Sequence, residues 1–344
     1  MSLSEVNNPK AAADLIKKFR KRFKTKVCMA PYTEHDKRIV SAHTLSVKSM
    51  LGKISIDGHV YTAEMVKNMS KDTFPIDIKR KGIRDVSVFN GFCATHDREL
   101  FSCIETEPYR FTPKQNFMLA YRAASRECYL KRKMAESLPM PEEYADIHGI
   151  SEKLRFSDFT LMHQAASLRG AEEAELLKTT LDTFLVNNAW NRVITKVILF
   201  PKTPSVLATA AFQPFFDMNG QQLQEFENLE VEMSQLCVSV IPVETGGAAI
   251  FSWLDTANSA PRIFLDSVLQ GNNLTASVIH VVFDNIENFA LKPDWYESLT
   301  CEQKDYVFSR VVLFEQSGSY SEKRRPDDSA PYLDDWGKPN IVDF

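Results

Sequence analysis

The sequence predicts an α+β protein built from a small N-terminal module, a helical connector and a larger, mainly antiparallel C-terminal α+β domain. Three observations lead to this prediction. Four of the seven histidines and two of the six cysteines lie between Cys28 and Phe101. Apolar residues then recur at helical spacing from Pro113 to Asn187. From Asn191 onward the pattern changes to alternating runs rich in Val and Ile, which are typical of strands.

The predicted units follow changes in composition. They are a basic helix with a Cys/His-rich module at 1–108, a helical connector at 109–188, an α+β domain at 189–316 and a mobile tail at 317–344. The tail is polar and has few aliphatic residues, so burial would not offset the entropy of ordering it. The alternative is that Tyr332, Trp336 and the final Val342-Asp343-Phe344 anchor the tail to a partner or to the chain's own surface.

Two features of the composition bear on the compartment. The sequence has no run of 18 apolar residues, so it predicts no transmembrane helix, and its polar first ten residues do not resemble a signal peptide. The six cysteines form no regular framework, which is typical of a reducing compartment. We therefore expect a cytoplasmic protein with no membrane partner. Four cysteines are expected to be small buried hydrophobic residues: Cys103, Cys128, Cys237 and Cys301.

The charge differs sharply between the two halves of the chain. Residues 1–140 contain 26 Lys and Arg against 15 Asp and Glu, whereas residues 141–344 contain 15 against 30. A basic half predicts a surface for a polyanion such as nucleic acid. In the alternative interpretation the acidic half docks onto the basic half, within the chain or between subunits, or the acidic C-terminal domain or tail recruits a protein partner.

The most basic segment is a predicted helix from Asn8 to Lys26. Its apolar face carries Ala, Leu, Ile and Phe, and its other face is strongly positive. Cationic side chains that neutralise phosphates release counterions, so such a face predicts salt-sensitive, sequence-independent binding of nucleic acid. The simpler interpretation is a solvated helix face. The predicted nucleic-acid-binding residues are Lys17, Lys18, Arg20, Lys21, Arg22, Lys24 and Lys26.

Two Cys/His pairs predict a metal site. Cys93 and His96 have the C-x-x-H spacing of a tight turn that directs two ligands to one point, and Cys28 with His35 supplies a second pair upstream. Zinc binds thiolate at about 2.3 Å and imidazole at about 2.0–2.1 Å. We predict a structural, four-coordinate Zn²⁺ at these four residues. The alternative is that the cysteines are unliganded and the histidines make ordinary hydrogen bonds.

The order of these motifs resembles the ββα-metal fold of HNH nucleases: a ligand pair, then Ala42-His43, then the Cys93–His96 knuckle followed by Asp97. The stretch is more specifically similar to a family of bacterial proteins of unknown role that carry AH(S/T), GHVY and GFCxxHDxxLF. These motifs stand here at 42–44, 58–61 and 91–101, and the similarity covers about residues 28–101. The resemblance implies a zinc-bound ββα-like module and, by association, a phage-defence setting.

The resemblance also implies site roles. In HNH nucleases a histidine of the first strand acts as the general base, which activates water against a phosphodiester held by a divalent cation. The resemblance implies this role for His43, and it implies that Asp97 is a ligand of a catalytic Mg²⁺ or Mn²⁺. The sequence departs from the family at Ala42, where an acidic ligand is usual, at His35, where the bacterial pattern has cysteine, and in lacking a clear orienting asparagine. Hard cations prefer oxygen ligands. We therefore expect a degenerate module that binds nucleic acid. The alternatives are an active metal-dependent endonuclease and a protein-interaction module with purely structural zinc.

The remaining elements follow from periodicity. Residues 54–56 predict a strand, 57–58 a turn, and 62–88 a loop or hairpin. Helices are predicted from Pro113 to about 133, and at 157–187, 261–270, 275–288 and 300–314. Strands are predicted at 193–200, 207–212, 231–243 and 248–254, the last two joined by a Gly246-Gly247 hairpin. His163 and His280 lie on apolar helical faces, where a hydrogen-bonded core histidine is expected.

Overall fold

The structure is a computed structural model that describes residues 25–65, 76–137, 150–225, 231–316 and 330–344, and in the N-terminal region only residues 10, 14, 17, 18 and 21. Its strands are β1 (Ile39–His43), β2 (His59–Met65), β3 (Ile76–Gly82), β4 (Val88–Cys93), β5 (Val193–Phe200), β6 (Val206–Phe212), β7 (Leu236–Pro242), β8 (Gly247–Leu254), β9 (Phe289–Leu291) and β10 (Asn340–Asp343). Its helices of six or more residues are α1 (Ala94–Glu105), α2 (Pro113–Ser137), α3 (Ile150–Val186), α4 (Ala260–Leu269), α5 (Leu274–Asn285), α6 (Pro293–Ser298) and α7 (Cys301–Gln316).

Eight strands form one antiparallel sheet in the order β10-β5-β8-β7-β6-β9-β2-β3. The predicted hairpin joins β7 to β8, and its turn requires glycine. Gly246 has φ +94°, and a Cβ there would lie 2.0 Å from the carbonyl oxygen of Phe200. A side chain would therefore be excluded both by the backbone conformation and by the neighbouring strand. The mixed α+β class and the antiparallel pairing agree with the sequence prediction.

Helices cover both faces of this sheet. On one face α2 packs against β6, β7 and β8, and α3 packs along α2. On the other face α4, α5 and α7 enclose a second core that includes Phe251, Phe264 and Phe283. Because β7 has helices on both sides, all of its residues are buried and it lacks the alternation of a one-sided strand.

The segment between β1 and β4 joins the large sheet. Its strands β2 and β3 pair with each other, and Tyr61 of β2 pairs with Leu291 of β9. Val60 is fully buried and Ile78 is 8% exposed, so apolar side chains of the hairpin are packed against other parts of the protein. The boundary predicted near residue 108 therefore does not separate the strands of the sheet.

Local differences from the sequence prediction occur just before this hairpin. The strand predicted at 54–56 is wrong, because Gly52–Ile54 is a helical turn whose Ile54 is buried. The predicted turn at 57–58 is present, with positive φ at Asp57 and Gly58. Asp and Gly tolerate this conformation, which two-residue hairpin turns favour.

The C-terminal segment 330–344 is ordered against the rest of the protein, so the prediction of a mobile tail is wrong for these residues. Trp336 is 1% exposed and meets Phe200 edge to face at 5.1 Å between ring centroids. Its indole Nε1 donates a hydrogen bond to Asp334 Oδ2 at 2.8 Å. Strand β10 then pairs with β5 at the edge of the sheet. Residues 317–329 of the predicted tail lie outside the described residues.

Several smaller expectations can be compared directly with the structure. Buried His280 lies 3.1 Å from the Tyr306 hydroxyl, as expected for a core histidine, whereas the side chain of His163 lies outside the described residues. Cys103, Cys128 and Cys237 are buried as expected, but Cys301 is exposed. No helix in the described part of the chain is long and apolar enough to cross a membrane.

We expect Trp336→Ala to lower the free energy of unfolding by about 3–5 kcal/mol, because it removes a fully buried aromatic side chain. Urea denaturation of both proteins measures this difference. Tyr332→Ala is the matched control, since Tyr332 is 64% exposed in the same segment. Equal stability of Trp336→Ala and the wild type would show that the segment does not dock.

Candidate metal centre

A small ββα unit carries the predicted ligands. Strands β1 and β4 form a separate two-stranded antiparallel sheet, and α1 starts directly after β4 with Cys93 as its N-cap residue. The chain before β1 runs beside β4. There the backbone N–H of Val27 donates to the carbonyl of Asn90 at 3.2 Å, and that of Met29 donates to Gly91 at 2.9 Å. These bonds hold Cys28 next to the strand that ends at Cys93.

The structure brings the four predicted ligands together. Cys28, His35, Cys93 and His96 each offer one ligand atom, and these atoms all lie within 4.8 Å of one another. The Nδ1 atom of His96 lies 3.4 Å from Cys28 Sγ and 3.3 Å from Cys93 Sγ. Zinc bonds at a tetrahedral angle would place sulfur and nitrogen about 3.5 Å apart. This Cys₂His₂ cluster can therefore hold a metal ion.

The burial of the four groups is graded. Cys93 is fully buried and His96 is 8% exposed, whereas Cys28 is half-buried and His35 is exposed. The cluster thus lies at the edge of the core, with the knuckle inside and the upstream pair facing solvent. A metal ion can enter from the side of His35 without rearrangement of the core.

The two thiols have different pKa values. Burial raises the pKa of Cys28 above that of an ordinary thiol. Burial also raises the pKa of Cys93, but hydrogen bonds from the backbone N–H groups of His96, Asp36 and Thr95 and from the Cys28 side chain outweigh this effect, so its net pKa is lowered. Thiolate is the metal-binding form of cysteine. Cys93 is therefore the thiol that is better prepared to bind a metal.

His96 favours its neutral, metal-binding form. Burial lowers the pKa of His96, and the neighbouring His35 lowers it further. The His96 ring is also fixed by its neighbours, since the Tyr32 ring lies at 5.1 Å and the His35 ring at 5.2 Å between centroids. Neutral imidazole is a common metal ligand.

A buried lysine supports the loop that carries Cys28. Lys178 of α3 is 3% exposed and donates a hydrogen bond to the carbonyl of Met29 at 2.8 Å. The same ammonium group pairs with Asp182 at 2.5 Å, and Asp182 accepts a hydrogen bond from the Tyr121 hydroxyl at 2.7 Å. The ligand loop is thus bound to the helical layer. Sequence analysis missed this residue, because a single lysine on a long helix looks like an ordinary surface residue.

His43, the histidine with an implied catalytic role, lies at the end of β1 and is half-buried. Its Nε2 lies 3.1 Å from the carbonyl oxygen of Arg84, which accepts a hydrogen bond, so Nε2 carries the proton. The other ring nitrogen, Nδ1, is then the basic one. Burial lowers the pKa of His43, and the bond to Arg84 opposes this effect. The imidazole is therefore neutral at pH 7.

Asp97 faces a buried arginine. Arg122 of α2 is 1% exposed, lies 2.6 Å from Glu105 and 4.0 Å from Asp97, and stacks on the Phe101 ring at 4.0 Å. Burial raises the pKa of Asp97, and Arg122 opposes this effect. A carboxylate beside a fixed guanidinium is a poor ligand for a divalent cation, since the two positive charges would repel each other. Sequence analysis did not identify Arg122 or Glu105, because their spacing carries no local signal.

The basic segment is described only in part. Lys17, Lys18 and Lys21 are helical and exposed, while Lys26 is exposed but lies beyond the helix. Arg20, Arg22 and Lys24 lie outside the described residues. The end of the segment is attached to α2, because the carbonyl of Thr25 accepts a hydrogen bond from the Tyr129 hydroxyl at 2.9 Å.

We expect the full-length protein to contain one metal ion and Cys93→Ser to lose it, because Cys93 is the most buried ligand. Elemental analysis of the dialysed proteins measures the metal content. Cys301→Ser is the control, since Cys301 is exposed and lies outside the cluster. Full metal content in Cys93→Ser would contradict the assignment. Structural zinc in finger peptides contributes on the order of 10–16 kcal/mol of apparent binding free energy, so we also expect a lower melting temperature.

Comparison of the chain with protein-family models, with curated proteins and with solved structures found no match.

Proposed function

We propose that the ββα unit is a zinc-stabilised module that binds nucleic acid. The observation that carries this proposal is the convergence of two thiols and two imidazoles within 4.8 Å. Two soft sulfur ligands together with two imidazoles match structural zinc better than they match calcium or magnesium. The metal would join the loop at Cys28 and His35 to the start of α1.

The charge distribution supports nucleic acid as the partner. The first 140 residues carry a net charge of +11, although the whole chain has −4. Exposed Lys17, Lys18, Lys21 and Lys26 lie directly before the ligand loop. Edge strand β3 adds exposed Lys79 and Arg80. A partner with a dense negative charge would contact such groups by releasing counterions.

Binding without catalysis is favoured by two residues of the ββα unit. Ala42, which stands where HNH enzymes usually have an acidic ligand, is 1% exposed and packs in the core. Asp97, the other implied cation ligand, lies beside the guanidinium of Arg122. A catalytic cation would thus lack one carboxylate and compete with an arginine for the other. The proposal is a degenerate module that retains a structural metal.

We expect the logarithm of the nucleic-acid binding constant to fall linearly with the logarithm of salt concentration. A Lys17→Ala, Lys21→Ala, Lys26→Ala variant should lower the steepness of this line, by up to about 0.9 for each duplex phosphate that is no longer neutralised. Fluorescence anisotropy with a labelled duplex and a labelled single strand measures both proteins. The control replaces Lys292, Lys304 and Lys338 of the acidic half with alanine. Equal effects of the two triple variants, or no binding at low salt, would contradict the proposal.

A second candidate function, phosphodiester hydrolysis, is favoured by the geometry of His43. The carbonyl of Arg84 orients this imidazole as an asparagine would in the HNH family, and leaves Nδ1 able to accept a proton from an attacking water. Burial lowers the pKa of His43, so the base form would persist as the pH falls below the usual 6.5.

A plasmid-nicking assay with Mg²⁺ or Mn²⁺ separates the two functions. The binding proposal predicts no cleavage by the wild type with either metal. Cleavage that His43→Ala abolishes, with zinc content and melting temperature unchanged, would establish the hydrolase instead. Cleavage that persists in His43→Ala would indicate a contaminating nuclease, and a repeat with freshly purified protein would then decide the outcome.

A further inference from the structure

A cavity away from the metal centre has the composition of a ligand site. It encloses about 240 Å³ between α2, the end of β6 and the end of α5. No residue of the Cys₂His₂ cluster lines it. This volume is slightly below the ~300 Å³ lower end of small-molecule pockets, which suits a single ring system better than an extended ligand.

One wall of the cavity is aromatic. Phe212, Phe215 and Phe216 line it, and all three side chains are only half-buried. Phe212 is held from behind by Phe264, edge to face at 5.8 Å between ring centroids. Half-exposed phenylalanines around one concave space offer flat apolar faces on which a planar ring can stack.

Arg126 of α2 also lines the cavity. Arg126 of α2 makes no hydrogen bond or ion pair with any residue in the described ranges, and its Nε is buried. Burial lowers the pKa of this guanidinium, while Glu127 and Glu287 stabilise its charge from a distance. A guanidinium nitrogen that is removed from water without a hydrogen-bonded acceptor costs free energy. A ligand with two adjacent acceptor atoms would supply the missing partner.

The other charged groups of the cavity have protein partners. Lys131 lies 3.6 Å from Glu127 and also donates a hydrogen bond to Gln213 at 3.2 Å. The Asp284 carboxylate accepts a hydrogen bond from Arg310 at 2.7 Å. The cavity therefore combines Arg126 and Lys131 with three carboxylates, at Glu127, Asp284 and Glu287, rather than a concentration of positive charge. This arrangement does not suit a bound phosphate chain.

We propose that this cavity binds a guanine base, with the ring stacked on the phenylalanine wall and Arg126 donating to O6 and N7. Guanine is the base with two adjacent acceptors on its Hoogsteen edge, and arginine is their commonest partner. Its N1–H and N2 amino group can donate hydrogen bonds to the carboxylates of Glu127 and Glu287, because a carboxylate can accept several hydrogen bonds beside its protein partner. Adenine has a donor in place of O6 and would oppose the arginine. The base can come from a free nucleotide or from an unpaired position in a strand. The inference does not depend on the metal centre.

Isothermal titration of the full-length protein with nucleoside monophosphates tests the free-nucleotide source. We expect GMP to bind about tenfold or more tightly than AMP, CMP or UMP. The 7-deaza analogue of GMP should bind about tenfold more weakly than GMP, because it lacks the N7 acceptor but keeps the ring and the phosphate. This comparison uses the wild-type protein, so it decides the result even if a variant fails to fold. GMP binding no better than AMP would exclude the free-nucleotide source, and equal, measurable binding of 7-deaza-GMP and GMP would overturn the proposal.

The second possible source of the base is an unpaired guanine within a nucleic-acid strand. It is tested with two oligonucleotides at the same salt concentration, one of thymines only and one with a single central guanine. A preference for the guanine strand without GMP binding assigns the cavity to a base within a strand. No guanine preference in either arm overturns the proposal.

The matched variants are Arg126→Met and Arg132→Met. Both lie on α2, but Arg132 is outside the cavity and pairs with Glu175 at 3.3 Å. We expect Arg126→Met to weaken guanine binding about tenfold and Arg132→Met to leave it unchanged. Equal affinity of the Arg126→Met variant and the wild type, with both folded, would contradict the role of Arg126.

Discussion

The structure depends on the burial of helix α2 between two surfaces. Its first three turns are buried almost completely, from Gln115 to Ser125, because the large sheet lies on one side and the ββα unit lies on another. Phe117 and Tyr121 reach the same core as Phe92 and Phe101 of that unit. The N-terminal unit therefore has no core of its own that is separate from the helical layer.

Two arginines one turn apart on α2 then face different environments. Arg122 is paired with Glu105 beside the ββα unit, whereas Arg126 lines the cavity at the end of β6. In a helix, residues four apart lie on nearly the same face, so small differences in direction decide which surface each side chain meets. One helix thus supports both the candidate metal centre and the candidate base site.

The Cys₂His₂ cluster lies beside an N-terminal loop that has few other described attachments to the rest of the protein. The loop between Met29 and Ile39 is largely exposed, and its backbone attachments are concentrated at Val27, Met29 and Arg38. A metal ion bound by His35 and His96 would add a cross-link at the exposed part of this loop. Such a cross-link stabilises mainly by coupling binding free energy to folding.

Elements with strong local signals could be predicted from the amino-acid sequence. The C-x-x-H knuckle, the Gly246-Gly247 turn and the Val/Ile-rich strands depend on neighbouring residues, and each was predicted from them. The sequence also singled out four Cys and His residues that the structure brings within 4.8 Å. Tertiary structure alone decided which strands became neighbours, so β2 and β3 joined the large sheet and the segment with Trp336 docked at its edge. It also decided that Asp97 faces Arg122 and that Arg126 faces a cavity. Periodicity shows that a face must be buried, but it does not show which distant surface will cover it.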